Sequence, residues 1–549
     1  MLFASLIAIA AIYSISLLSW HFLRGYLLDK YVGLPDLEYL HIRRPNMKKI
    51  KGTAVICGGS IAGLLAARVC HDHFERVLVI EAEAWVASEE GRKIAGYDPK
   101  LSRSRLIQWD SLHACQSFLF AGLEKLFPNF EVECRRSRIP VEPSNPRFNL
   151  SGRLLRVPYS GVRSRLPKTI YVSRPGFETL LRRLVVDRDA YPNIEYITGT
   201  VTDVRPDALD HLRLSTVLVR TESGAKAFQA SLVADCTGPA RAGMKWLQRN
   251  GYGHAAAYTG GKLPLNELKI AFDQKLRYST MTFRISDAFH DQLPFPTAEF
   301  WDIHPIYTFL EGSPDKGRGL FVLMRPDGDR ILAFAGHHGE DRSQPRNLKE
   351  LKEYVRDLTA VEPIPTWVFE LMDMLEEVED KAVVSLVNVA PTSYIRYHLA
   401  TNLPSNYIAV GDSVMTLNPL FSEGCTKAFR GALALHNVLR DVPTAQYILP
   451  GDFSTQFFAE QFNKINWNWV NTRLVDYGVK TTVPLAGESL SSGEYLRWYI
   501  KYLQHLAITD EQAALVFYNT AMGIASPIDA FHPNLVAKVL WRACLGPRL

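Results

Sequence analysis

The first hydrophobic pattern is an unbroken apolar run. Residues 2–23 read LFASLIAIAAIYSISLLSWHFL, and the first charged side chain is Arg24. A helix needs about 20 mostly apolar residues to cross the hydrocarbon core, so residues 1–24 are expected to form a transmembrane signal-anchor. A cleavable secretory peptide fits less well, because no positive segment precedes the run and no small-x-small site follows it. Arg24, Lys30, Arg43, Arg44, Lys48, Lys49 and Lys51 come next, which by the positive-inside rule puts the body on the cytosolic face, as at the endoplasmic reticulum. Residues 25–50 are expected to be a linker.

After the linker the period changes. Residues 51–57 form a short β-run, 61–74 keep helical spacing, and 76–81 (RVLVIE) form a second β-run, the start of a βαβ unit. Leu, Phe and Ala spacing favours a helix over 106–127. Three β-runs, NIEYITGTVTDV, HLRLSTVLVR and AFQASLVADCTG, then predict an antiparallel meander. KIAFDQKLRYSTMTFRI and GLFVLMRPDGDRILAFAGHHG add long strands, the latter folded at Pro326-Asp327-Gly328. A short strand over 406–410 leads into Gly411-Asp412, and helical spacing dominates from Thr426 onward. The fold class is therefore α+β. An α/β Rossmann-like nucleotide-binding domain spans 51–440, with an antiparallel β-sheet substrate domain interleaved at about 255–400, and a helical region covers 441–549.

Composition narrows the function classes. A 47% hydrophobic, 22% charged chain is that of a globular protein. Its net charge of +5 and lack of basic–aromatic runs speak against nucleic-acid binding. Seven cysteines without a CxxC pair suggest neither a disulfide framework nor a zinc site, and the expected metal count is none. His337-His338 follow a strand and are expected in a solvated turn. The aromatics after 453 are expected as helical core or, alternatively, as a hydrophobic lid facing the membrane.

The chemistry-bearing signal is Gly58-Gly59-Ser60-Ile61-Ala62-Gly63, between the first β-run and the first helix. In G-x-G-x-x-G the first Gly makes the turn, the second lets the backbone approach a pyrophosphate, and the third lets helix and strand pack closely. Here Ser60 occupies the second position. Glu81, at the end of the next strand, stands where an acidic group binds ribose hydroxyls. This much does not separate NAD from FAD.

The second signal does. YIAVGDSVMTLNPLFSEGCTKAFRGALAL, residues 407–435, resembles the flavin monooxygenases of the para-hydroxybenzoate hydroxylase and squalene epoxidase type. The resemblance implies that Gly411-Asp412 reach the ribityl chain of FAD and that the helix start at Gly424 lies near the pyrimidine edge of the flavin. Reduced flavin carries negative charge there, and a helix N-terminus is its matched positive pole. The likeness extends over roughly residues 52–440. Asp235-Cys236-Thr237-Gly238 with Ala240-Arg241 resembles a D-A-T-G-R segment, Gln108, His113 and Leu126-Phe127-Pro128 resemble a Q-x-x-H-x-H helix ending in L-F-P, and Ser173-Arg174-Pro175 resembles an S-R-P helix start. Ser60, Ser111, Cys236 and Asp412-Ser413-Val414 depart from the common pattern.

The resemblance implies an FAD-dependent monooxygenase, and the apolar N-terminus and aromatic-rich tail add a membrane anchor and an apolar substrate to that reading. Such an enzyme would place one oxygen atom from O₂, through a flavin C4a-hydroperoxide, into a lipophilic substrate such as a terpenoid or polyketide, by epoxidation or hydroxylation. NAD(P)H would serve as a transient reductant, since no second nucleotide fingerprint is present. Arg105 is the expected charged contact near the flavin or its pyrophosphate, and His113 the candidate acid/base on the substrate side. The rival readings are a dehydrogenase or reductase of isoprenoid chains and a non-catalytic binding protein resembling Rab GDP-dissociation inhibitors. Halogenases share the frame and resemble one another in a mid-chain W-x-W-x-I-P. The W-x-W here, Trp467-Asn468-Trp469, lies near the C-terminus without I-P.

Overall fold

Five strands form a parallel sheet; the inner ones end in near-continuous Val/Ile/Ala/Leu runs buried on both faces, while the edge strand Ile194–Thr198 is half-buried. Their order is Tyr407–Ala409, Leu232–Asp235, Ile50–Cys57, Phe74–Glu81 and Ile194–Thr198. The helix Ile61–His73 crosses from Ile50–Cys57 to Phe74–Glu81, and Gly424–Asp441 packs against it. The computed structural model describes residues 2–94, 103–158, 166–254, 262–294, 305–311, 318–339 and 342–545; the side chains of residues 1–6, 8, 9 and 545 also lie outside the description.

Two expectations change here. Residues 193–238 are not one meander. Ile194–Thr198 and Leu232–Asp235 join the parallel sheet, and only Thr200–Pro206, Leu214–Thr221 and Gly224–Gln229 pair antiparallel, as a three-stranded sheet of their own. The fully buried Leu232–Asp235 needs cover on both faces, which the parallel sheet supplies. Residues 106–127 are helical only over Ser117–Leu126. Upstream, tertiary partners outcompete helical spacing: Leu112 N–H donates to Thr280 Oγ1 at 3.3 Å, Ser111 Oγ lies 2.9 Å from Tyr278 Oη, and Ala114 bridges to Tyr171.

The second large sheet has seven strands: Val383–Asn388, Leu276–Arg284, Arg330–His338, Gly319–Met324, Ile306–Leu310, Phe148–Leu150 and Arg153–Leu154. The turn at 326–328 joins Gly319–Met324 to Arg330–His338 as an antiparallel pair. Alternate residues point to opposite faces. Phe283, Phe321, Leu323, Ile331 and Ala333 pack under the helices Leu348–Arg356 and Thr366–Met374. Tyr278, Leu320, Val322, Leu332 and Phe334 form the opposite face, against which Leu112 and Leu420 pack. His337 and His338 are not in a solvated turn. They close the strand, each 2% exposed, and by the same alternation face opposite sides.

The N-terminal helix is Leu2–Leu27. Among the described residues no helix is long and apolar enough to cross a membrane. The first third of the expected anchor at 1–24 has side chains outside the description; Ile12, Ile15, Leu18 and Phe22 are 63–86% exposed. The base of the helix is docked on the C-terminal region, Trp20 Nε1–H donating to the Ile528 carbonyl at 2.9 Å and Arg24 pairing with Asp529 at 2.6 Å. Residues 25–50, expected as a linker, are folded onto the body instead. Val32, Leu37 and Leu40 are buried, and the Arg44 guanidinium is spent on the carbonyls of Lys48, Val442, Pro443 and Gln446. The C-terminal region is helical, with Trp469 and Tyr518 in the core and Tyr495, Trp498 and Trp541 exposed.

Candidate functional site

The ends of the parallel strands deliver the two sequence signals to one place. Gly58 has φ +121°, a conformation that L side chains rarely adopt, and a Cβ there would lie 2.3 Å from the Cys236 carbonyl oxygen. At Gly63 a Cβ would stand 1.8 Å from the Gly58 carbonyl oxygen, so strand end and helix start touch backbone to backbone. Gly411 has φ +74°, and a Cβ on it would lie 2.7 Å from Ala62 Cβ. Stretches some 350 residues apart in sequence therefore meet at the start of one helix.

Ser60 needs no glycine geometry: its φ of −92° and ψ of −168° are open to any residue. Its hydroxyl donates to Glu178 Oε2 at 2.8 Å and accepts from Arg174 at 2.9 Å. Glu81 accepts from Gly59 N–H at 3.0 Å and from Arg103 at 2.8 Å, so it braces the turn it follows. Arg103 is the centre of this arrangement, ion-paired with Glu81, Glu83 and Glu178, its side chain 4% exposed. Burial alone would discourage its charge, but the carboxylates of Glu178, Glu81 and Glu83 outweigh that and hold it protonated. Burial likewise works against the Glu178 carboxylate, and Arg103, Arg182 and Arg174 together keep it well below the usual range. Arg105, expected as a charged contact near the flavin or its pyrophosphate, is exposed and takes no part in this cluster. Two arginines two residues apart look alike in sequence, and only partners from distant strands and helices distinguish them.

On the other side of the cleft, Asp412 pairs with the buried Lys427 while its own side chain stays 46% exposed. Asp235, fully buried, accepts from Thr237 N–H, Gly243 N–H and Ser413 Oγ, and Gly238 N–H donates to Ser413 Oγ at 3.0 Å. The D-C-T-G turn and the G-D-S loop are thus tied together. His113 lies near enough to Arg174, Asp412 and Glu178 to feel their charges. Burial, helped by Arg174, pushes its imidazole down to about 4, which leaves it neutral at physiological pH. It sits in a turn rather than on a helix, with Nδ1 2.9 Å from the Ser111 carbonyl oxygen.

The donor set suits a dinucleotide with a flavin ring. Neither helix facing the cleft is capped by a side chain, at Ser60 or at Glu423, so both keep free amides for negative charge. A Cβ on Gly424 or Gly238 would meet nothing within 4 Å, so the backbone there borders free space. Gly58, Ser60, Gly63, Glu81, Gly411, Asp412, Gly424 and His113 are brought to one region; Arg174 of the S-R-P helix start joins them, as do Arg103 and Lys427, two charged residues that motif reading passed over.

No family model matches the chain. Protein Rv3254 of Mycobacterium tuberculosis is 24% identical over 396 residues, spanning 71% of this chain and 73% of the relative. Among solved structures, p-nitrophenol 4-monooxygenase PnpA from Pseudomonas putida DLL-E4 superposes with a TM-score of 0.53 at 14% identity, over 87% of this chain and 99% of that one. The flavin-dependent brominase Bmp2 gives 0.52 at 14% identity, over 88% and 98%. A flavoprotein/dehydrogenase from Cytophaga hutchinsonii gives 0.52 at 11%, over 90% and 98%. The chain has the fold shared by flavin-dependent monooxygenases and halogenases.

Proposed function

From that fold, we propose that the protein is an FAD-dependent monooxygenase that places one oxygen atom of O₂ in a lipophilic small molecule, by epoxidation or hydroxylation. The observation that carries the reading is the meeting of Gly411 with Ala62. The Gly411-Asp412 loop, expected to reach the ribityl chain, lies against the glycine turn expected to hold the pyrophosphate, beside two helix starts without side-chain caps. FAD, when bound, would supply the oxygen-activating chemistry.

The chain's own residues would do the rest. Gly58–Gly63 and Arg174 would hold the diphosphate, Glu81 the adenosine ribose, and Asp412 the ribityl hydroxyls. The free amides at Gly424 would stabilise negative charge at the ring edge. The apolar sheet face of Tyr278, Leu320, Val322, Leu332 and Phe334 lies against Leu112 and Leu420, which belong to the His113 turn and the 418–424 loop. Such a wall excludes water and favours an apolar substrate. His113, neutral and beside Asp412, would accept or return a proton there. W-x-W has a structural role: Trp469 packs on Phe272 and Tyr394 in the core, which gives no support to halogenation. We also propose that residues 1–24 anchor the protein in a membrane, because the apolar side chains along that helix otherwise face water, and that NAD(P)H docks transiently.

The test has two steps. Protein purified from its host should be yellow and release FAD; a colourless protein that cannot be loaded with FAD would favour a binding scaffold. Incubation with terpenoid or polyketide candidates, NAD(P)H and ¹⁸O₂ should then give a product heavier by one labelled oxygen. The dehydrogenase reading, which the Cytophaga neighbour keeps alive, predicts oxidised or reduced product without label.

A further inference from the structure

Glu423 is the residue immediately before the Gly424–Asp441 helix, whose amide end borders the cleft. Its carboxyl turns toward the helix Phe453–Asp476 and is 6% exposed. The groups around it are mainly neutral. Thr472 Oγ1 donates to Glu423 Oε2 at 3.3 Å, and the amides of Asn468 and Asn471 lie close by.

The charged groups that face it are already engaged. Arg430, two turns along the same helix, gives one nitrogen to Asn468 Oδ1 at 3.1 Å and the other to the Gly523 carbonyl at 2.9 Å. Lys427 is held by Asp412 and the Met415 carbonyl. Asp476, one turn beyond Thr472, accepts from Asn418 at 2.8 Å. Tyr31 faces it from the N-terminal segment. Among the described residues no ion pair forms to Glu423. Burial pushes its carboxyl up to about 7, with Asn468, Arg430 and Thr472 offsetting part of the effect. Glu423 also lines a small pocket, partly open to solvent and with room for little more than a water molecule, with Tyr31, Trp467, Asn471, Gly523 and Ser526, which gives protons a way in.

We propose that Glu423 is a redox-linked proton site: it takes up a proton from solvent when the cofactor in the cleft is reduced and releases it on reoxidation. The step balances simply. With FAD bound, reduction by a hydride donor of the nicotinamide type would add two electrons and one proton, and so one net negative charge, to the group in the cleft. The Glu423 carboxylate then binds one further proton from solvent and becomes a neutral acid. New negative charge at the amide end of its helix raises the proton affinity of a carboxyl at that end. Burial and the lack of an ion pair leave the carboxyl weakly screened from that charge. The inference rests on the reading that the cleft holds FAD.

The experiment is a spectroelectrochemical titration of the FAD-loaded full chain from pH 5.5 to 9, for wild type and Glu423→Gln. Wild type should take up two protons per electron pair in a window opening near pH 7, and one on either side of it. Glu423→Gln should take up one throughout. Thr472→Val removes a donor to the carboxylate and leaves the carboxyl itself, so its window should open at higher pH; this arm decides the matter if Glu423→Gln does not fold. Equal proton counts in wild type and Glu423→Gln, or an unmoved window in Thr472→Val, would overturn the inference and leave the FAD reading intact. Failure of the wild type to bind FAD would overturn both.

Discussion

Replacing Arg103 with alanine removes the cation that, alone among the described residues, pairs with Glu81, Glu83 and Glu178 at once. Glu178 is fully buried and keeps Arg182 and Arg174, whereas Glu81 is 4% exposed and loses its guanidinium partner. Breaking a buried pair by removing one member costs about 3–5 kcal/mol, because the surviving charge is left without compensation. Unfolding entropy of about 2.1 cal/mol/K per residue amounts to roughly 1.2 kcal/mol/K for a chain of 549 residues. The expected fall in Tm is then about 3–4 °C, and larger if the nucleotide domain melts by itself. Because Glu81 also holds Gly59 N–H, the variant should lose FAD as well. Differential scanning fluorimetry and the flavin-to-protein absorbance ratio measure the two effects. Arg105→Ala is the matched control, since that side chain is exposed, and should change neither. If the two variants behave alike in both assays, the assignment of Arg103 is wrong.

Asp412→Asn should lower flavin retention more than His113→Ala, read as FAD released on gel filtration; equal retention would count against the ribityl assignment. Gly63→Ala puts a Cβ 1.8 Å from a backbone oxygen that cannot move alone, so FAD affinity should fall roughly 5- to 150-fold, in line with about 1–3 kcal/mol of overpacking. Burial pushes His71, His113, His398 and His436 down to about 4. Their unfolded forms bind protons near pH 6.5 while the folded ones do not, so stability should be full above that pH and fall as it drops from 6.5 toward 4. A Tm flat across that range would refute this. Deleting residues 1–18 keeps the Trp20 and Arg24 contacts and should release the protein from membranes into the supernatant at alkaline pH; unchanged sedimentation would remove the anchor from the proposal.

Residues 50–81 were legible in sequence because each constraint there is local. A Gly at φ +121° between a β-run and a helix, and another where helix and strand backbones touch, leave marks within six positions of one another. The Gly411-Asp412 loop and the hairpin at 326–328 were readable for the same reason, and so was the α+β frame. Arg103 was not, since nothing within reach along the chain distinguishes it from Arg105; Glu178, 75 residues away, makes the difference. Helical spacing over 106–116 gave way to bonds with Thr280 and Tyr278, and residues 25–50, polar enough to pass for a linker, are pinned by carbonyls some 400 residues away. Glu423 reads as an ordinary acidic residue until helix Phe453–Asp476 covers it with neutral partners. Backbone geometry is imposed by neighbours in sequence and can be read there. Burial and charge compensation are set by whatever the fold brings alongside, and only the assembled structure contains that information.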